Sequence, residues 1–319
     1  MSHPRPNSET SPGSASTDAR WRRALVRGDA VLASVPAVLR HLLVHDDGAL
    51  FAEDVLARTR GMLADLSRQV ALALAGGDGP APDPALVEAV SPALIAVPGL
   101  LAHLHATAIE WQVTEGLQAR LGLDPVLSPL VQALVASPDS ETGAAAMRML
   151  TAQARFAQGQ RQMRLPLGEL PPDLVHALLE AIREVDREDA AARAIRAGYD
   201  ESASRLGLLA RLVTGMGAGA IAALSLGHGG LALFATTMAI ACDLPRDACI
   251  FATQEAEATR LALALRAAGL RPVVIEENLL ALNPGARAPF GIAGVTPERA
   301  CALLAESPLA QAALPGGAG

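Results

Sequence analysis

His41 and His45 stand four residues apart, a spacing that sets two imidazoles on one face of a helix and can hold zinc. Asp46 and Asp47 follow directly, and His103 and His105 come 62 residues after His41 and later. His103 and His105 are two apart and diverge on a helix, so at most one joins a shared site. The candidate metal ligands are therefore His41, His45 and His103. Against them, His45 lies on the same helical line as Val38 and Leu42, which suits packing, and no HExxH or Cys-rich pattern accompanies the cluster.

Two other stretches invite chemistry. Ser225-Leu226-Gly227-His228-Gly229-Gly230 is similar to the oxyanion loop of esterases, but no GxSxG elbow or alternating strand pattern supports it. Its glycines read better as a tight turn between buried helices. His176 and Glu180 share a helix face with Arg183 nearby, a pattern compatible with a phosphoryl-accepting histidine but read here as a solvated polar face. No catalytic residue is assigned, and no cofactor is expected.

The 26 basic residues are all arginine. Without lysine there is no P-loop lysine, no Schiff base and no kinase-type lysine, which argues against common nucleotide hydrolysis and pyridoxal chemistry. The net charge of −7 argues against a nucleic-acid partner, since phosphate binding needs a basic stripe. The single basic cluster, Arg20, Arg22, Arg23 and Arg27 around Trp21, fits a solvated first helix or a docking point for an acidic partner or a membrane surface. Cys242, Cys249 and Cys301 lack metal spacing and suit a reducing, cytoplasmic compartment.

The elements that would position these residues are helical. Apolar residues make up 51% of the chain and aromatics only 3%, so Ala, Leu and Val must form the core, and Ala and Leu favour helix over strand. An all-α fold follows: a HEAT-like N-terminal array and a C-terminal bundle around a buried Gly-rich hairpin. The array rests on a duplicated octet. Val35-Pro36-Ala37-Val38-Leu39-Arg40-His41-Leu42 returns as Val97-Pro98-Gly99-Leu100-Leu101-Ala102-His103-Leu104, each read as a proline-started helix.

Residues 1–17 read as a Ser/Pro/Thr-rich tail, 18–162 as the repeat-like domain and 163–172 (MRLPLGELPP) as a linker. Residues 173–283 form the C-terminal domain, and 284–319 a loop, a last helix and a frayed end. Asp124 and Ser140 are expected helix caps. Leu212–Cys242 holds no charged residue, long enough for a membrane span, yet Gly227–Gly230 breaks it, which favours a buried hairpin. Val273-Val274-Ile275 is the one strand-like run.

Gly122–Ser137, Thr151–Phe156, Leu165–Leu174 and Gly230–Leu270 together resemble the alphaproteobacterial domain-of-unknown-function 2336 family. That resemblance spans about residues 20–310 and implies a helical, repeat-like protein with no settled activity. The expected function is therefore a non-enzymatic interaction or regulatory protein whose partner is another protein. The alternatives are a metal-dependent enzyme built on the histidines and a membrane-associated helical protein.

Overall fold

The computed structural model describes residues 12–45, 53–77, 81–183 and 189–308, with side chains of the first helix from residue 16 to 43. Fourteen α-helices and four short 3-10 segments account for its regular structure, and the described residues contain no strand. The fold is all-α, as a core of Ala and Leu dictates.

The order is α1 (Pro12–His45), α2 (Glu53–Leu74), α3 (Pro84–Ala96), α4 (Leu100–Leu121), α5 (Pro129–Val135), α6 (Ser140–Arg161) and α7 (Pro172–Ile182). Then come α8 (Ala190–Gly198), α9 (Arg205–Gly215), α10 (Leu226–Cys242), α11 (Arg246–Ala252), α12 (Thr259–Ala267), α13 (Pro272–Leu282) and α14 (Pro297–Ala305). A 3-10 segment, Gly217–Leu224, joins α9 to α10. Side-chain caps start several helices: Asp83 accepts from the Ala85 N–H, Ser128 from Val131, Ser204 from Gly207 and Thr296 from Arg299. Two expected caps shift. Asp124 accepts from Val126 and Leu127 in the loop before α5, and Asp139 rather than Ser140 caps α6.

Helix α4 is the axis of the molecule. Residues Leu100–Leu104 (apart from Ala102) and every residue from His105 to Trp111 are buried, so the helix is covered nearly all round. It packs against α1, α2, α3, α6, α10, α11 and α13. On one side α2 pairs with α3 and α8. On another, α5, α6, α9 and the 3-10 segment enclose Leu130, Met149, Leu209 and Leu212. On a third, α12 pairs with α14, and α1 lies across both.

The duplicated octets are not equivalent. The first lies inside α1, with Pro36 in mid-helix; the second is the corner between α3 and α4, which meet at 93°. One residue explains the difference. Gly99 follows the second proline and takes φ of 79°, a left-handed conformation that turns the chain. Ala37 occupies the matching place in the first octet, where its Cβ disfavours that conformation, and the helix runs on. Val38–Leu42 and Leu100–Leu104 are both helical, so the octets match in their second halves and differ in how the chain enters them.

The expected boundary at 163–172 is packed into the body. Leu165 and Leu170 are buried, and α2 holds the segment's backbone: the Leu165 N–H donates to Asp65 and the Leu167 N–H to Gln69. Gln69 donates back to the Leu165 carbonyl, and the Tyr199 hydroxyl to that of Leu170. One apolar cluster runs from Trp21 through α4 to Leu304, across the boundary that three prolines and a glycine suggested. Residues 12–17, expected in the tail, belong to α1, while 1–11 lie outside the described residues.

Leu212–Cys242 is bent rather than continuous: α9 and the 3-10 segment meet at 117°. At Gly230 (φ 72°, ψ 163°) the backbone leaves helical geometry inside α10. No single helix among the described residues is long and apolar enough to cross a membrane. Asn278 of α13 fixes the corner before α10. It donates to the Leu224 carbonyl and accepts from the Leu226 N–H. The strand-like Val273–Ile275 is helical, because Pro272 starts α13 and Ile275, Asn278 and Leu279 then share its buried face.

Candidate binding cleft

The chemistry-bearing side chains inside the body are engaged with one another. Glu110 of α4 is 2% exposed and lies between two guanidiniums. Arg205 of α9 donates to both its oxygens at 2.8 and 3.0 Å, and Arg246 of α11 at 2.7 and 2.8 Å. Burial is the largest single influence on Glu110 and pushes its pKa up; the two arginines together outweigh it and hold the carboxyl well below the usual carboxylate range. Arg205 also donates to Gln153 and stacks 3.6 Å from the Phe156 ring centroid, while Arg246 donates to Thr236. Glu110 therefore accepts four charge-assisted hydrogen bonds and ties α4 to α9 and α11.

Another buried arginine joins α1 to the body. Arg260 of α12 is fully enclosed; it pairs with Asp29 of α1 and, at 2.8 Å, with Glu255. Gly28 makes this approach possible, since a Cβ there would lie 2.9 Å from the Glu255 Oε1. Asp18 with Arg299, and Arg22 with Glu306 at 2.5 Å, fasten the rest of α1 to α14.

The expected metal ligands are not brought together. His103 is buried, with Nδ1 2.9 Å from the Asp247 carboxylate of α11. His41 is on an exposed face of α1, and the His45 side chain lies outside the described residues. Among the described residues, no three His, Cys, Asp or Glu side chains gather as a metal site. His105 is buried against Phe251, ring centroids 5.4 Å apart, and burial lowers its pKa to about 4. His176 is exposed. The His228–Gly230 stretch starts α10 as a turn in which Gly229 is indispensable, since a Cβ would lie 2.6 Å from the Ala223 carbonyl oxygen.

An open cleft lies between α1, α4 and the Thr253–Ala258 loop that joins α11 to α12. It has two chambers that share Ala24, Gln112, Gln254, Glu255, Ala256, Glu257 and Thr259. The first, about 570 Å³, is apolar, walled by Val31, Leu32, Val35, Val55, Ile109 and Phe251. Its α1 wall is a stripe, Ala24, Gly28, Val31 and Val35, at successive turns of one helix face. Val31 is 62% exposed in the middle of that stripe. Arg27 and Glu257 pair across the rim at 2.6 Å. The second chamber, about 850 Å³, is mixed: Trp21, Leu279 and Phe290 line it together with Arg20, Arg120, Arg287, Gln112 and Asn283.

The Arg20–Arg27 cluster stands out in the sequence, but no local pattern shows which elements face it. A signal for Glu110 was available: it is the first formally charged residue after Glu88 and ends an uncharged run over 89–109.

Comparison with models of known families, with curated proteins and with solved structures gives no match.

Proposed function

We propose that this is a non-enzymatic interaction protein that receives the apolar face of an amphipathic helix from a partner protein, in the chamber beside α1. The observation that carries this reading is the stripe Ala24, Gly28, Val31, Val35 with Val31 left 62% exposed at its centre. Residues at such intervals are what a helix offers to a second helix lying along it, and grooves of this kind recognise partners through anchors at the same spacing. From Ala24 to Val35 the wall extends ~17 Å, about three turns of a bound helix. The strongly buried charged side chains Glu110, Arg205 and Arg260 are already paired, so in this apolar chamber shape and apolar surface are the means of recognition. The resemblance to the domain-of-unknown-function 2336 family accords with a helical protein of this kind. Free thiols at Cys242, Cys249 and Cys301 suit the reducing cytoplasm; burial pushes the Cys242 thiol up to about 12 and raises that of Cys249 as well.

Photo-crosslinking in the native cell tests this. With p-benzoylphenylalanine at Val31, the expected product joins this chain to an amphipathic helical segment of another protein, and adding Leu32→Glu, which puts a charge in the same chamber, prevents capture. Position 33, on the opposite exposed face of α1, serves as control. Equal capture of the same species from 33, or crosslinks from 31 only within the chain, would refute the reading.

A further inference from the structure

We propose that the 850 Å³ chamber is a binding site for a small organic anion that has a carboxylate or phosphate head and a flat apolar body. Three guanidiniums line it, from three parts of the chain: Arg20 on α1, Arg120 on α4 and Arg287 in the loop after α13. Arg120 is anchored, its Nη2 donating to the Ala281 and Leu282 carbonyls at the end of α13, which leaves its other nitrogens for a ligand. Arg20 and Arg287 have no hydrogen bond or ion pair with any described residue. The carboxylates in the wall, Glu255 and Glu257, are already held by Arg260 and Arg27. With Asp29 behind the wall, five guanidiniums meet three carboxylates here, on a protein whose net charge is −7. A local cationic excess in an acidic molecule attracts an anion.

The apolar half of the lining sets the body of the ligand. Trp21 is buried in the wall, while Phe290 is 75% exposed, the most exposed large apolar side chain among the described residues. The loop bearing Phe290 and Arg287 is fixed rather than loose beside α1. Gly291, at φ 86°, brings it so close that a Cβ there would lie 2.9 Å from Thr17 and 3.4 Å from the Trp21 ring. An aromatic ring held beside a hollow with unpaired guanidiniums offers a flat surface next to a cationic one, and a chamber of this volume is within the usual range for small-molecule sites. The site is separate from the helix-binding groove, though the two share the Gln254–Thr259 wall.

Isothermal titration of the full chain with 2-naphthoate, 2-naphthyl phosphate and neutral 2-naphthol tests the proposal. One equivalent of at least one anion is expected to bind, and the stronger of the two identifies the head. Arg20→Ala and Arg287→Ala should each weaken it by about fivefold or more, and the double variant further. Arg23→Ala removes an exposed cation from the same helix outside the chamber, and Val31→Glu alters the neighbouring groove; both should stay within about twofold of the parent. Saturable binding by neither anion would overturn the proposal. So would naphthol binding as tightly as the anions, or an equal loss in Arg23→Ala or Val31→Glu.

Discussion

Replacing Glu110 by Gln keeps the shape of the side chain and removes the charge that two buried arginines share. Arg205 and Arg246 have side chains only 5% and 14% exposed, so neither can recover its hydrogen bonds from bulk water without local opening. The carboxylate accepts four hydrogen bonds from them. A carboxamide offers one oxygen, and its NH2 confronts a guanidinium donor with another donor. Breaking a buried ion pair on one side costs about 3–5 kcal/mol, because the surviving charge is left uncompensated. Urea unfolding followed by far-ultraviolet circular dichroism should show the midpoint falling with an unchanged slope. At roughly 2–4 °C per kcal/mol, the thermal midpoint should drop on the order of 10 °C. A companion variant, Glu110→Leu with Arg205→Met and Arg246→Met, removes every charge together, and should lie closer to the parent than the single change does.

The pH dependence follows from the depressed Glu110 pKa. Its stabilisation is complete above the unfolded-state carboxylate value of about 4.3 and is lost as pH falls toward the lower folded-state value. The gap between parent and Glu110→Gln should thus be constant from neutral pH to about 5 and narrow below about 4. A cost under about 1 kcal/mol for the single variant, or a larger cost for the triple, would refute the reasoning.

Other substitutions test other joints. His105 is neutral when buried, with its pKa lowered to about 4 from 6.5. Its contribution is present above pH 6.5 and lost as pH falls through that window, by up to about 3 kcal/mol; His105→Gln should flatten the stability profile there. Gly230→Ala should cost about 2 kcal/mol or more in chemical unfolding, since φ of 72° with ψ of 163° is accessible essentially to glycine alone and the new Cβ would lie 3.2 Å from the Ser128 Cβ. Asn278→Leu should cost about 2–3 kcal/mol and speed hydrogen exchange at the Leu226 amide, which loses its acceptor.

The helical class was legible because it is set by composition and by local rules that operate within one turn. Thr296-Pro297 starts α14, and Gly269 at φ 90° stops α12, each from its own few residues. The octet shows where such reading fails. Eight positions look duplicated, yet one methyl group, at Ala37 against Gly99, decides between a continuous helix and a 93° corner. The linker reading failed for a different reason: prolines do interrupt 163–172, but Asp65 and Gln69, about a hundred residues earlier, satisfy its backbone. Val273–Ile275 looked like a strand from β-branched content alone, whereas the burial of Ile275, Asn278 and Leu279 at helical intervals gives its state.

The arginine pairings were out of reach for a like reason. Glu110 lies 95 residues from Arg205 and 136 from Arg246, and no spacing rule links them. The cleft likewise draws its walls from α1, α4 and the loops after α11 and α13, so only its α1 stripe was present as a local pattern.

Helix α1 meets its partners at the far end of the chain: Asp29 with Arg260, Asp18 with Arg299, and Arg22 with Glu306. A ribosome therefore releases the first helix long before its anchoring residues exist, and contacts so distant in sequence form late. Both chambers take a wall from residues beyond 250. A nascent chain thus carries no finished cleft until the residues beyond 250 have been synthesised.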